Sequence, residues 1–133
     1  MPAVLINVDV PDLSAARDFY VSAFGLREGR RLGEGALELL GAETSIYLLL
    51  QPPGTVPAPG AGARDYQRHW TPVHLDFVVS DVEAALAQAE RAGARRDSEI
   101  ATHAWGKLVR LADPFGNGLC LVQFLGRGYD ELT

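Results

Sequence analysis

Apolar residues alternate with polar ones at Ile6, Val8 and Val10, and again at Leu75, Phe77 and Val79. Strict alternation of this kind predicts a strand with one greasy face. Each strand runs into a helical pattern. In the first, Leu13, Ala16, Tyr20, Ala23 and Phe24 recur at helical spacing behind Asp12, a good N-cap, and Gly25 stands where a left-handed C-cap is wanted. In the second, Val82, Ala85, Leu86 and Ala89 form the stripe and Gly93 ends it. Ser80 and Glu83 have capping-box spacing there, with Asp81 as a competing cap.

Strand-like runs follow each helix: 36–40 and 45–51 after the first, 107–111 and 119–124 after the second. Regions 27–34 and 95–103 are each expected to hold one short strand. Asp113-Pro114-Phe115-Gly116-Asn117-Gly118 is a dense turn signal. The chain therefore reads as a repeat of β-α-β-β-β, and Tyr47–Gln51 lines up with Leu119–Gln123. Residues 1–51 form the first module and 73–133 the second. Between them, residues 52–63 hold four Pro and three Gly, the composition of a linker or mobile loop, and the whole linker is taken as 52–72.

Composition narrows the function classes. The 133 residues suit one ordinary domain, and 47% apolar with 22% charged residues argues against wholesale disorder. A formal net charge of −5 argues against a nucleic-acid footprint or an anionic membrane surface. No apolar run approaches the ~20 residues that span a bilayer. The N-terminus lacks a basic region before an apolar stretch, so no signal peptide and a cytoplasmic protein are expected. The single cysteine, Cys120, excludes an internal disulfide.

Alternation also says which side chains leave the helix-facing side. Asn7 and Asp9 in the first module, and His74 and Asp76 in the second, are expected on the opposite face. Leu48, Leu50, Cys120 and Val122 are expected to share it. Polar residues on the inner face of a curved sheet suggest a ligand cavity. His74 and Asp76 are i, i+2 neighbours on one face, and a carboxylate beside an imidazole orients it for acid–base work or metal ligation. His69-Trp70 and His103-Ala104-Trp105 suit stacking on a flat ligand as well as simple loop packing. Arg110 and Lys107 lie on a predicted strand, where an inward base would pair an anionic group. There is no phosphate-binding glycine loop and no Gly-x-Ser-x-Gly.

Four stretches together resemble the vicinal oxygen chelate superfamily of glyoxalases, bleomycin-resistance proteins and extradiol dioxygenases. They are Val8-x-Val10-x-Asp12 with Phe19-Tyr20 and Phe24-Gly25-Leu26; His74-x-x-Phe77-x-Val79-x-Asp81; Trp105-Gly106; and Asp113-Pro114-Phe115-Gly116-Asn117. The resemblance implies an α+β fold of two tandem βαβββ modules forming cupped mixed sheets around a cavity. Metal-dependent members carry four ligands, and those positions fall here on Leu5, Leu48, His74 and Cys120. Two leucines cannot ligate, and His74 with Cys120 alone would not hold an ion firmly. Asn7 and Asp76 could add oxygen donors, but outside the family pattern. The expectation is thus a small-molecule-binding protein without the usual metal site or any cofactor, lined by Asn7, Asp9, Leu48, His74, Asp76, Trp105, Arg110 and Cys120. The alternative is a lyase, isomerase or dioxygenase-like enzyme that uses a nonstandard metal site or His74/Asp76 acid–base chemistry. The resemblance also implies a homodimer.

Overall fold

The computed structural model describes residues 1–133, which divide into two compact units, Met1–Gln67 and Arg68–Thr133. The first unit runs β1 (Ile6–Val10), α1 (Leu13–Phe24), β2 (Arg27–Leu32), β3 (Ala36–Leu40) and β4 (Ile46–Leu50). Its four strands lie in the order β1-β4-β3-β2, with β1 parallel to β4 and the other pairs antiparallel. Asp12 caps α1 by accepting from the Ala15 amide at 3.0 Å. Gly25 closes the helix at φ 67°, a conformation a side chain would disfavour. Leu13, Ala16, Phe19, Tyr20 and Ala23 of α1 are buried, as are Val10, Leu37, Leu39, Ile46 and Leu48 of the sheet. Each large apolar side chain buried here contributes about 1.5–3 kcal/mol.

The second unit runs β5 (Leu75–Val78), α2 (Val82–Ala92), β6 (Arg95–Arg96), β7 (Ala101–His103), β8 (Gly106–Ala112) and β9 (Gly118–Phe124), then a 3-10 turn at Gly128–Leu132. The strand order is β5-β9-β8-β6, with β7 also pairing β8. Region 95–103 therefore holds two short strands rather than one. Both are antiparallel to β8, β7 beside Gly106–Leu108 and β6 beside Leu111–Ala112, so the strand breaks where the chain moves along its long partner. Asp81, not Ser80, caps α2, accepting from the Ala84 amide at 3.1 Å. Gln123 takes the Val82 amide at 2.9 Å, and Lys107 pairs with Glu83 at 3.1 Å. Both contacts tie the helix to one face of the sheet. The architecture is α+β: a βαβββ module and a second one whose first strand after the helix is broken into β6 and β7, each built on its own mixed sheet.

Residues 52–67 group with the first unit. The Pro/Gly stretch is closed on itself rather than strung out. Two backbone bonds cross it: the Gly54 amide donates to the Arg64 carbonyl at 2.8 Å, and the Arg64 amide donates to the Thr55 carbonyl at 2.7 Å. The Arg64 guanidinium donates to Asp9 at 2.8 Å and to Thr55 at 3.0 Å, and the Tyr66 hydroxyl donates to the Gln51 carbonyl at 2.7 Å.

On the sheet side away from α1, Glu38 is buried beside Arg30 and Tyr47. Its carboxylate accepts from the Arg30 amide at 3.1 Å, the Arg30 guanidinium at 2.8 Å and the Tyr47 hydroxyl at 3.2 Å. The hydrogen bonds from Arg30 hold this carboxyl down at about 2. A carboxyl depressed in the fold stabilises it above the unfolded value of 4.5, and that contribution is lost as pH falls towards 2. Urea midpoints measured from pH 6 to pH 2 should fall less steeply for Glu38→Gln than for the wild type. Parallel curves would mean that Glu38 ionisation does not couple to folding.

Candidate functional site

Strand register builds the site in the second unit. Asp76 on β5 lies opposite Cys120 on β9, and Cys120 lies opposite Arg110 on β8. Residues paired across strands share a face. Asp76, Cys120 and Arg110 therefore project from one side, while Leu119, Leu121, Val109 and Leu111 project from the side to which Lys107 and Gln123 bind α2. His74 precedes β5 by one residue and lies on the Asp76 side. Its Nε2 is 3.2 Å from Asp76 Oδ1, and both side chains are about one-third exposed (32% and 37%). The ligating atoms of His74, Asp76 and Cys120 all lie within 4.8 Å of one another.

Trp70 borders this cluster. Its ring sits 4.6 Å from the His74 ring, and the Arg68 guanidinium lies 5.5 Å from its centroid. A Cβ at Gly118 would collide with the Trp70 ring, so the indole rests directly on a strand position without a side chain. Arg68 in turn bonds Asp97 and the carbonyls of His69 and Gly116, and the His69 amide donates to Gly116 O at 2.9 Å. Sequence reading noted the His69-Trp70 pair but did not select Trp70 for the site. The available signal was Gly118, a glycine opening an otherwise apolar strand.

Cys120 is buried, only 3% exposed. Burial, the adjacent Asp76 charge and a hydrogen bond to Asp76 push its thiol up to about 12, while Arg110 acts weakly the other way. A buried thiol held this high is protonated at neutral pH and a poor nucleophile. The arrangement offers an oriented imidazole, a carboxylate, an indole face and an exposed guanidinium on one surface.

The first unit differs. Asn7 lies opposite Tyr47 and Asp9 opposite Leu49, so Asn7, Asp9 and Tyr47 share the side that also carries Glu38. Asp9 is occupied by Arg64. Leu48 was expected beside Asn7, and the register corrects this. It lies opposite Val8 and Leu37, fully buried with the apolar side that packs under α1. Side-chain direction has a period of two, so aligning Leu48 rather than Tyr47 with Cys120 turned the strand over. Trp105 is also removed from His74. It occupies the β7–β8 turn next to Phe124 and Tyr129, stacked on His103 at 5.1 Å. The length of β9, about 20 Å at ~3.3 Å per residue, separates that end from Gly118. Lys107 faces α2 and is spent on Glu83.

These positions also test the metal site that the resemblance implies. Leu5 is hydrocarbon, and Leu48 points into the α1 core. Tyr47, the residue in register with Asn7, commits its hydroxyl to Glu38. At its two ligand positions the first module thus supplies no donor, the nearby Glu38 carboxylate is paired with Arg30, and the residues present do not fit the four-donor centre.

Comparison with known proteins agrees with this architecture. A family model described as a glyoxalase-like domain matches residues 5–122. An uncharacterized protein of Mycobacterium bovis is 30% identical over 126 residues, covering 92% of this chain and 83% of its own length. Among solved structures, TnmS3, an antibiotic binding protein from Streptomyces sp. CB03234, is 27% identical with a TM-score of 0.66, over 94% of this chain and 98% of its own. FosX, a fosfomycin resistance protein from Listeria monocytogenes, shares the fold at 16% identity and a TM-score of 0.70, over 94% of each chain. No helix is long and apolar enough to cross a membrane. With its repeated βαβββ modules and a family match spanning both, the chain belongs to the glyoxalase-like domain family of the glyoxalase/bleomycin resistance/dioxygenase superfamily.

Proposed function

We propose that this protein binds a small organic molecule on the second-module face that carries His74, Asp76, Trp70 and Arg110, without the family's four-donor metal centre. The observation that carries this reading is an exposed, oriented imidazole–carboxylate pair beside an indole that is itself 43% exposed. Aromatic faces favour flat ligand groups, and a guanidinium favours an anionic or carbonyl oxygen. The 27% identity to an antibiotic binding protein supports binding as the role. Asn7 and Asp9 are the first module's candidates for ligand contact, and a homodimer is the assembly in this reading. Sedimentation at micromolar concentration tests the dimer, which a monomeric mass would exclude.

A second reading has a specific observation behind it. The 3.2 Å contact between His74 and Asp76 suits proton transfer to or from a bound substrate. Covalent catalysis by Cys120 is disfavoured by its raised thiol pKa.

Equilibrium binding against a panel of planar acids, metabolites and antibiotics tests the first reading, with chelator present throughout. A ligand tighter than ~1 mM, about −4 kcal/mol, is expected. Trp70→Ala should weaken it about tenfold, in line with the ~0.5–1.5 kcal/mol of an aromatic contact. Gly118→Ala, which displaces the indole, should act in the same direction, and Trp105→Ala should leave the affinity alone. Equal losses in Trp70→Ala and Trp105→Ala would move the ligand elsewhere.

Cys120 offers a separate check. At pH 8 a thiol of pKa about 12 is roughly one part in ten thousand thiolate, against about one in ten for an ordinary cysteine. Iodoacetamide should therefore modify the folded protein orders of magnitude more slowly than the urea-unfolded chain. Comparable rates would contradict the buried, protonated thiol.

A further inference from the structure

The mismatch with the family's metal centre is itself informative, because three donors still converge where only two were expected to matter. We infer that the second module alone binds one thiophilic divalent ion, of the zinc or cobalt class, through His74, Asp76 and Cys120. This does not rest on the small-molecule reading, since it concerns what the bare side chains can hold.

The geometry is close to what an ion needs. Ligand bonds of roughly 2.0–2.3 Å to nitrogen, oxygen and sulfur place tetrahedral donors ~3.3–3.8 Å apart. The His74–Asp76 contact is already 3.2 Å, and no pair among the three donor groups exceeds 4.8 Å. Side-chain adjustments of about 1 Å close the remainder. The backbone positions two of the three donors. Asp76 and Cys120 are register partners on parallel, hydrogen-bonded strands, so their separation is fixed before any ion arrives. His74 is held next to them under the Trp70 ring.

The donor set selects the class of ion. A thiolate with an imidazole and one carboxylate suits zinc, cobalt or nickel over magnesium, calcium or manganese, which prefer all-oxygen donor sets. A carboxylate and a thiolate together match a dication in charge, and binding releases the thiol proton to solvent. Three protein donors leave one coordination position for water or a ligand atom. Asp76 is the decisive residue. It lies outside the family's ligand positions, and it supplies from the second module a donor that the first cannot.

Tag-free protein, stripped with chelator and kept reduced, is titrated with cobalt(II) and read by absorption. One equivalent should produce a sulfur-to-cobalt charge-transfer band and the intense visible bands of tetrahedral cobalt. Zinc should abolish both at stoichiometric amounts, and a thousandfold excess of magnesium should not. Cys120→Ser should lose the charge-transfer band while keeping its circular dichroism spectrum. His74→Ala and Asp76→Asn, both at partly exposed positions, should each weaken zinc binding at least tenfold. Absence of the charge-transfer band in wild-type protein would overturn the inference. So would zinc affinity unchanged in Asp76→Asn, or full displacement by magnesium. The ligand panel is run with chelator, so its failure and the failure of this inference are read separately.

Discussion

The pairing of β5 with β9 is the constraint on which the site depends. Sliding β9 by one residue would bury Asp76 opposite a leucine and turn Cys120 towards α2. What prevents the slip is the turn before β9. Asp113 is buried, and its carboxylate accepts from the amides of Phe115 and Asn117 and from the Asn117 side chain, at 2.8–2.9 Å. Three hydrogen bonds to one buried carboxylate make this turn costly to rearrange. The turn fixes where β9 begins, and so which residue stands opposite Asp76. The same turn receives the His69 amide and Arg68 at Gly116, which carries Trp70 onto Gly118. One acidic side chain far from solvent thus sets both the register and the aromatic wall.

The two modules show how one topology yields different surfaces. Asn7, Tyr47 and Glu38 occupy the register positions that Asp76, Cys120 and Arg110 occupy in the second module. In the first, Glu38 and Arg30 neutralise each other and Tyr47 closes the network. That polar surface is spent on stability. In the second, the acid and the base are not paired with each other, and the acid contacts an imidazole beside the buried thiol. A duplicated fold therefore need not carry duplicated chemistry.

Local signals carried most of the fold in the sequence. Asp12, Gly25, Gly93 and the Asp113 turn act within a few residues, so their effect is readable from a short window. The competition between Ser80 and Asp81 was visible but not decidable there, because the outcome depends on which residue keeps extended backbone at the helix entry. Register is different. Leu48-Leu49-Leu50 is apolar at every position, and such a run does not say which members face the helix. Only pairing with Val8 settles Leu48 as core, and pairing is a long-range fact. For the same reason His74 and Asp76, neighbours two residues apart, were legible as a pair. Alternation put Cys120 on their face and the family resemblance made it a ligand position, while Trp70 was passed over. Trp105 was chosen for its residue type, yet its ring belongs to the cluster formed with His103, Phe124 and Tyr129.

The chemistry open to this site turns on the lone pairs of His74. An imidazole that ligates an ion gives up the nitrogen it would need to accept a proton, so acid–base catalysis by His74 and an ion held by His74 exclude each other at any one moment. Binding of an organic molecule is compatible with either state. With no ion, Asp76 orients the imidazole as a hydrogen-bonding partner for the ligand. With an ion, the open coordination position becomes the strongest contact on this face, and Trp70 and Arg110 steer what reaches it. An ion that used the Cys120 sulfur would displace the thiol proton to solvent. Asp76 stands between the two, in contact with His74 at 3.2 Å and in register with Cys120, so the exposed and buried halves of the site meet at its carboxylate.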